Sequence, residues 1–208
     1  MTFKARGFII GKMDIREYDR LFTIYSLEHG KIQALGVGTK KISSKLSGSL
    51  EVLTFATFSI AKGRQLDRIT GVDTHHRFNN ISKSLDHLAS TLHCLEITDK
   101  LIQGQQRDDE LFLLLHDLLY TMNKTHETKP LNLARLYLLK LCIVLGYQPD
   151  QITSVSIEEV IKKRLHDLSD LSPKKETDTA IESILENTLT RAPKSQVFYD
   201  YLRGETSY

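Results

Sequence analysis

The stretch IREYDRLFTIYSLEHGK, residues 15–31, decides the fold of this chain. Its middle part, Leu21–Leu27, alternates between two sets of side chains, as a β-strand does because successive side chains point to opposite faces. A turn follows at Glu28-His29-Gly30, and Ile32–Val37 then returns as a partner strand. The stretch therefore predicts a β-hairpin in the first part of the sequence.

Three further segments near the hairpin have strand patterns: Phe8–Ile10, the alternating run Leu50–Ile60, and Gln65–Val72, which follows a tight turn at Lys62-Gly63. A polar loop over Gly38–Ser49 separates the hairpin from the two later strands. Five short strands with no helical period among them favour a small closed barrel of the oligonucleotide-binding (OB) kind.

Beyond residue 78 the apolar residues recur with the period of a helix. The pattern predicts helices from Ile81 to near Gly104 and over Leu111–Tyr120, Leu131–Leu145 and Ser195–Leu202, with amphipathic helices after Ser156 and around Ile181–Leu189. The helix Leu131–Leu145 is apolar on almost every side, which is typical of the centre of a bundle. The predicted fold class is α+β: an N-terminal five-stranded OB-type β-barrel in residues 1–78, expected to bind nucleic acid, followed by an all-α helical domain in residues 79–208.

The charge is distributed unevenly along the chain. Residues 1–78 hold 13 Lys and Arg against 7 Asp and Glu, a net charge of +6, whereas the remaining residues hold 15 against 19, a net charge of −4. A basic first part indicates a polyanionic partner. The acidic second part argues against non-specific binding by the chain as a whole.

Cysteine usage and motifs narrow the class of protein further. Cys94 and Cys142 stand far apart, so neither a disulfide framework nor a four-cysteine zinc site can form within one chain, and a reducing cytoplasm is the expected compartment. We expect no metal and no cofactor, because His75-His76 and His93 lack the spacing of paired zinc ligands and no nucleotide-binding or hydrolase motif occurs. No segment approaches the roughly 18 apolar residues of a membrane span, so we expect neither export nor insertion.

Seven cations of the predicted barrel are candidates for contacting a polyanion. Lys40, Lys41 and Lys45 lie in a Gly- and Ser-rich loop that can approach a ligand closely, and lysines neutralise phosphates with little demand on base identity. The alternative is a solvated loop whose charges serve only solubility. The other four lie at strand ends or turns and could equally be ordinary exposed residues: Arg20, Lys31, Lys62 and Arg64. For Arg20 a structural pairing with Asp19 or Glu17 is an equal alternative.

Four aromatic residues on the predicted strands are candidates for stacking on bases: Phe22, Tyr25, Phe55 and Phe58. Because they alternate with aliphatic residues, most of them should belong to the barrel core. We expect Tyr25 to be the exception, since its hydroxyl favours a face that is partly in contact with water.

Several of these stretches together resemble the RecO family of bacterial DNA-repair mediators. The resemblance is carried by the hairpin stretch, by GVGTKKISSK (36–45), by Lys62-Gly63-Arg64, by LGYQP (145–149) and by RAPKSQVF (191–198), in this order and spacing. Many relatives carry a zinc-binding cysteine cluster after the Leu-Gly-Tyr stretch, but here residues 151–156 contain no cysteine. The resemblance therefore implies a shortened form without that zinc site.

The resemblance also implies what the protein does. A RecO-like protein is a mediator without catalytic activity that binds single- and double-stranded DNA and anneals complementary strands. Together with RecR it helps the recombinase to replace the single-stranded-DNA-binding protein on gapped DNA, which implies a cytoplasmic location at the nucleoid and no membrane partner. The alternative class is an interaction scaffold whose barrel binds protein rather than DNA.

A partner site is also implied for the helical domain. RecO-like proteins are recognised there by the acidic, hydrophobic-ended tail of the single-stranded-DNA-binding protein, which needs an apolar slot edged by cations. The helix Leu131–Leu145 offers many leucines together with Arg135 and Lys140. The alternative is that both cations form the solvated edge of a buried helix.

Overall fold

The computed structural model describes residues 1–41, 44, 46–124, 129–147, 157–168, 171–173 and 175–204. The chain folds into two compact units, one formed by Met1–Phe78 with Ile102–Phe112 and the other by Asn79–Leu101 with Leu113–Tyr208. The first unit holds the β-structure and the second is helical, so the predicted α+β fold class is confirmed. The functional division into domains 1–78 and 79–208 stays a proposal.

The five strands of the first unit form a closed barrel in the order β1-β2-β3-β5-β4. Their bounds are β1 Thr2–Asp14, β2 Arg20–Ser26, β3 Gly30–Gly36, β4 Thr54–Ala61 and β5 Asp67–Arg77. The prediction of a strand from Leu50 was wrong at its start, because the strand begins only at Thr54 and Leu53, just before it, has a φ of 67°. The last strand also continues beyond the predicted Val72, since its pairing with β4 extends to Arg77.

Strand β1 closes the barrel by pairing on both of its edges. Its first half is antiparallel to β4 and its second half is antiparallel to β2, with a change of register between Ile9 and Gly11. Such a bulge bends a strand and increases its twist, which a small barrel requires. At Gly7 the backbones approach so closely that a Cβ would lie 2.2 Å from the carbonyl oxygen of Tyr25. The other closure is a short parallel pairing between β3 and β5, at Ala34↔Asp67 and Leu35↔Arg68.

The barrel interior is apolar. Its fully or almost fully buried side chains are Ala5, Ile9, Phe22, Ile24, Ile32, Ala34, Leu50, Ala56, Phe58, Ile60 and Ile69. Burial alternates along β4, so the period of two that predicted the strands also selected the core face.

The segment Ile102–Phe112 belongs to the barrel unit although it lies far from the strands in sequence. The ring of Phe112 packs 5.2 Å from that of Phe8, and the Tyr25 hydroxyl donates to the carbonyl of Asp108 at 3.4 Å. The segment therefore covers a part of the outer barrel surface that the strands by themselves would leave open to water.

The described residues form six α-helices: α1 Leu85–Leu101, α2 Asp109–Lys124, α3 Pro130–Val144, α4 Ile157–Lys162, α5 Lys175–Thr188 and α6 Gln196–Arg203. The predicted start of the first helix was too early, because Ile81–Lys83 forms a separate 3-10 turn. Helix α3 is largely buried and packs against α1, α4 and α5, as its uniformly apolar sequence predicts. Ser156, the predicted cap of α4, lies outside the described residues. Among the described residues no helix combines the length and apolar character needed to cross a bilayer.

Candidate nucleic-acid interface

A groove of about 520 Å³ lies on the barrel between the β1–β2 loop and the β4–β5 loop. It is lined by Arg16, Leu35, Ala61, Lys62, Gly63, Arg64, Gln65, Leu66 and Arg68. We call it the cationic groove, after its four charged residues Arg16, Lys62, Arg64 and Arg68. The parallel pairing of Leu35 with Arg68 places the second closure of the barrel at this groove. The loops that border it are those through which OB folds bind oligonucleotides and oligosaccharides.

The cations of the groove differ in how strongly they are engaged by other residues. The Arg16 side chain is 68% exposed and its guanidinium lies 3.6 Å from the Asp19 carboxylate. Lys62 pairs with Asp67 at 3.0 Å. Arg64 and Arg68 are exposed, and neither has an ion pair within the part of the chain that the structure describes. Two guanidinium groups are thus available to a ligand, and such groups suit phosphate because they can donate two parallel hydrogen bonds.

Two of the predicted DNA-binding cations converge on one carboxylate. Arg20 donates to Asp14 Oδ1 at 2.8 Å and Lys40 pairs with Asp14 Oδ2 at 2.9 Å. The hydrogen bonds from Lys40 and from Arg20 hold the pKa of the Asp14 carboxyl below its usual range. Arg20 has an internal acidic partner, as one of the two alternatives held, but this partner is Asp14 and neither Asp19 nor Glu17, because the β1–β2 register places Asp14 directly opposite Arg20. Asp14 and Arg20 lie at the ends of β1 and β2, next to the loop that contains Arg16.

Of the remaining predicted cations of the barrel, the structure describes Lys31 and Lys41. Lys31 donates to the carbonyl of Ile102 at 3.1 Å, so its side chain binds the segment Ile102–Phe112 and does not extend from an open strand end. The ammonium of Lys41 lies 5.0 Å from the centroid of the Tyr18 ring. Lys45 lies outside the described residues. The structure therefore brings Lys62 and Arg64 together in the cationic groove and leaves Lys31 apart from them.

Of the four aromatic candidates, three are fully buried. Phe22 and Phe58 belong to the barrel core, as their alternation predicts. The expectation that Tyr25 faces water was wrong: it lies on the strand face opposite Phe22, but the segment Ile102–Phe112 covers that face. Phe55 is half-buried and stacks on Phe8 with ring centroids 4.8 Å apart.

The two predicted partner-binding cations make contacts within the helical unit. The Arg135 side chain is 17% exposed, and its Nε lies 2.9 Å from the carboxylate of Asp178, which also lies 3.4 Å from the guanidinium of Arg203. Lys140 donates to the carbonyls of Ile161 and Lys163. Arg135 therefore joins α3 to α5 in a buried ionic cluster, and Lys140 anchors the end of α4.

The cysteines do not fit the zinc site that the family resemblance implies for other members. Cys94 and Cys142 are both buried on helices, where burial raises the pKa of the Cys94 thiol and raises that of Cys142 to about 12. A thiol with a raised pKa is a poor metal ligand, because the thiolate is the form that binds. In the part of the chain that the structure describes, no three His, Cys, Asp or Glu side chains converge to hold a metal.

Sequence reasoning missed two residues of the cationic groove. Arg16 stands within the quoted hairpin stretch, and its place in the loop between two strands could have marked it. Arg68 alternates with the buried Ile69, so strand parity indicates that its side chain points outward. What no local pattern shows is that these two residues line the same groove.

The closed barrel, with a cationic groove between its loops, is followed in the chain by a helical unit. These features define the class: an OB-fold protein with a second, helical unit. Comparison with known families identifies the member of this class. The family model described as "Recombination protein O N terminal" matches residues 1–78, and the one described as "Recombination protein O C terminal" matches residues 82–190. The chain belongs to the RecO family.

Individual relatives agree with this assignment. The chain is 30% identical over 146 residues to the DNA repair protein RecO of Acetivibrio thermocellus, a match that covers 70% of this chain and 58% of that protein. It is 29% identical over 147 residues to RecO of Pelotomaculum thermopropionicum, covering 71% and 56%. A third relative, RecO of Dehalococcoides mccartyi, is 30% identical over 148 residues, covering 71% and 58%. The chain thus spans less than two thirds of the length of these relatives.

Proposed function

We propose that this chain is a DNA-repair and recombination mediator without catalytic activity, which binds single- and double-stranded DNA through its barrel. Membership of the RecO family supports the repair role. The observation that carries the DNA-binding part is the cationic groove, because two of its arginines are exposed and have no ion pair among the described residues. The proposed contacts are Arg16, Arg64 and Arg68, together with the sequence-predicted Arg20, Lys31, Lys40, Lys41, Lys45 and Lys62.

Binding through such a groove would draw its free energy mainly from phosphate contacts. Each phosphate that a cation neutralises releases condensed counterions, so affinity falls as salt is added. The groove needs no base-specific donor for this purpose. A mediator has to act on any gapped sequence, and a surface that reads phosphates rather than base edges suits that task. With RecR, the proposed protein would promote annealing and recombinase loading on DNA coated by single-stranded-DNA-binding protein.

For the helical unit we propose contact with the acidic tail of the single-stranded-DNA-binding protein. Membership of the RecO family supports this, while both candidate cations have internal partners: Arg135 pairs with Asp178, and Lys140 donates to the carbonyls of Ile161 and Lys163. Titration of a fluorescent tail peptide against the wild type and Lys140→Ala tests the proposal, with circular dichroism to check the fold. Equal binding by both proteins would remove Lys140 from the site.

A second candidate function, a protein-binding scaffold, is favoured by the internal contacts of several barrel cations. Ion pairs with aspartates are made by Arg20, Lys40 and Lys62, as expected if these cations stabilise the barrel and do not bind a ligand. The two functions differ in their response to salt, because a largely apolar protein interface is hardly weakened by ions.

The deciding experiment is a salt series on the full chain. A fluorescein-labelled single-stranded 30-mer and the matching duplex are titrated at several concentrations of NaCl, and log affinity is plotted against log salt. We expect a straight line with a negative slope. Each phosphate contact should contribute roughly −0.7 to this slope for the single strand and −0.9 for the duplex. Failure to bind either DNA, or binding that salt does not weaken, would contradict the DNA-binding proposal and favour the scaffold.

A further inference from the structure

Tyr18 is the exposed aromatic residue of the barrel unit. Its side chain is 45% exposed, whereas Phe22, Tyr25 and Phe58 are fully buried. In the described part of Met1–Phe78 and Ile102–Phe112, the other large apolar side chains with comparable exposure are not aromatic: Met1, Met13, Val37 and Leu66. A single exposed tyrosine is ordinary on a protein surface, so its neighbours decide whether it belongs to a site.

The loop that carries Tyr18 is held firmly by hydrogen bonds. The carbonyl of Tyr18 accepts from the backbone N–H of Lys40 at 3.1 Å, and the Asp19 carboxylate accepts from the N–H of Gly38 at 2.8 Å. Within the loop, the N–H of Ile15 donates to the carbonyl of Asp19 at 3.2 Å. The backbone is thus fixed while the ring projects outward, which lowers the entropy that a ligand would have to remove on binding.

The ring has one cation over it and another near it in sequence. The ammonium of Lys41 lies over it at 5.0 Å, and Arg16 of the cationic groove stands two positions away in the same loop. The neighbouring Glu17 carboxylate raises the pKa of the Tyr18 phenol. The loop therefore presents an exposed aromatic ring with the Lys41 ammonium over it, next to the carboxylates of Glu17 and Asp19. A nucleotide has both complements, a flat base for the ring and a phosphate for the ammonium.

We infer that Tyr18 is a base-stacking residue, on which one unpaired nucleobase stacks while Lys41 and Arg16 contact the adjoining phosphates. The inference rests on the proposed DNA binding and adds a preference to it. Bases of a duplex are already stacked on each other, whereas every base of a single strand has a face available to an aromatic side chain. Tyr18 would therefore favour single-stranded over double-stranded DNA without favouring any sequence.

Fluorescence provides a direct test, because the chain contains no tryptophan. Tyr18→Trp introduces a single indole at the proposed site, and Tyr201→Trp places one on a comparably exposed position, 48%, in helix α6. We expect an oligothymidylate 30-mer to quench the first indole to saturation and to leave the second unchanged. Polyphosphate, which has the charge but no bases, should not reproduce the quenching. Equal responses of both indoles, or equal quenching by polyphosphate, would overturn the stacking assignment.

Affinity measurements separate this inference from the proposal on which it rests. Tyr18→Ala should weaken single-strand binding by roughly 5- to 150-fold, the range found for removing one stacked base. Its salt slope and its duplex affinity should stay close to those of the wild type, and Tyr18→Phe should retain stacking. If the wild type binds and Tyr18→Ala binds equally well, or loses duplex affinity by the same factor, the inference is wrong while DNA binding stands. If the wild type binds no DNA, the proposed function fails first.

Discussion

Leu35 of β3 and Arg68 of β5 pair in parallel register, and this short pairing closes the barrel beside the cationic groove. The same pairing buries Leu35 and leaves Arg68 exposed. The candidate site therefore depends on the closure of the barrel, because the strand pairing that closes the barrel also places Arg68 at the groove. Substitutions in the groove test whether this arrangement serves DNA binding.

The first prediction concerns the cationic groove. Replacing Arg16, Arg64 and Arg68 together by Ala should weaken DNA binding and flatten the plot of log affinity against log salt, by roughly 0.7 to 1 unit for each phosphate that is no longer neutralised. Fluorescence anisotropy with a labelled single strand measures both quantities. Arg191→Ala removes an exposed arginine from the helical unit and serves as the charge control. A triple variant with the slope of the wild type would exclude the groove as the binding surface.

The second prediction concerns the basic loop. Replacing Lys40, Lys41 and Lys45 together by Ala should also lower single-strand affinity and the salt slope, for the same reason. Lys40→Ala by itself should have a smaller effect than Lys41→Ala, because Lys40 already pairs with Asp14 whereas Lys41 has no ion pair among the described residues. The same titrations check both statements. An unchanged slope in a folded triple variant would show that the loop is only a solvated surface.

The third prediction concerns the buried ionic cluster of the helical unit. Asp178→Ala should lower the free energy of unfolding by about 3 kcal/mol or more, because it leaves two buried guanidinium groups, Arg135 and Arg203, without that carboxylate. Urea denaturation followed by circular dichroism measures the change. Glu186→Ala, on the exposed side of the same helix, should stay within about 0.5 kcal/mol of the wild type. Equal stability of both variants would contradict a structural role for the cluster.

The fourth prediction is a loss of stability in mild acid that depends on His93. This imidazole is buried, bonded to the Ser195 hydroxyl at 2.9 Å and stacked on Tyr199, and burial lowers its pKa from 6.5 to about 4, with Arg203 lowering it further and Glu96 opposing the shift. Since the unfolded chain takes up the proton first, stability is highest above pH 6.5 and falls as pH decreases towards 4. The loss due to this residue is about 3 kcal/mol when complete.

Thermal melts between pH 7 and pH 4 test this expectation. His93→Phe keeps a ring that can stack on Tyr199 but cannot be protonated, so its melting temperature should depend less on pH than that of the wild type. His166→Gln, at an exposed position, should leave the pH dependence unchanged. If wild type and His93→Phe lose stability in parallel as the pH falls, the buried imidazole is not the cause.

The fifth prediction is that the purified chain holds no stoichiometric zinc. Both cysteines are buried singly on helices, and the stretch 151–156, where the family resemblance would place a cysteine cluster, contains neither Cys nor His. Elemental analysis should find well under one zinc per chain, and a chelator should leave the melting temperature unchanged. About one zinc per chain would refute the prediction.

The sequence by itself determined the secondary structure and much of the core. The alternation in Leu21–Leu27 and the apolar period of Leu131–Leu145 are local patterns, and the strand β2 and the buried helix α3 lie where they predict. The placement of Lys62 and Arg64 at a turn is likewise a local matter, decided by Gly63. Local periodicity suffices for these features because they depend on which neighbours along the chain share a face.

Only the tertiary structure decided which faces meet water and which distant residues share a site. Tyr25 and Tyr18 show this most clearly: strand parity directs Tyr25 away from the core, but the distant segment Ile102–Phe112 covers it, while loop residue Tyr18 remains exposed. In the same way Arg68 lines a groove with Arg16 because β3 and β5 pair in parallel. Contacts between residues far apart in sequence depend on how the barrel closes and on which segments cover its outer surface. A local periodicity cannot predict either, because it reports only which neighbours along the chain share a face.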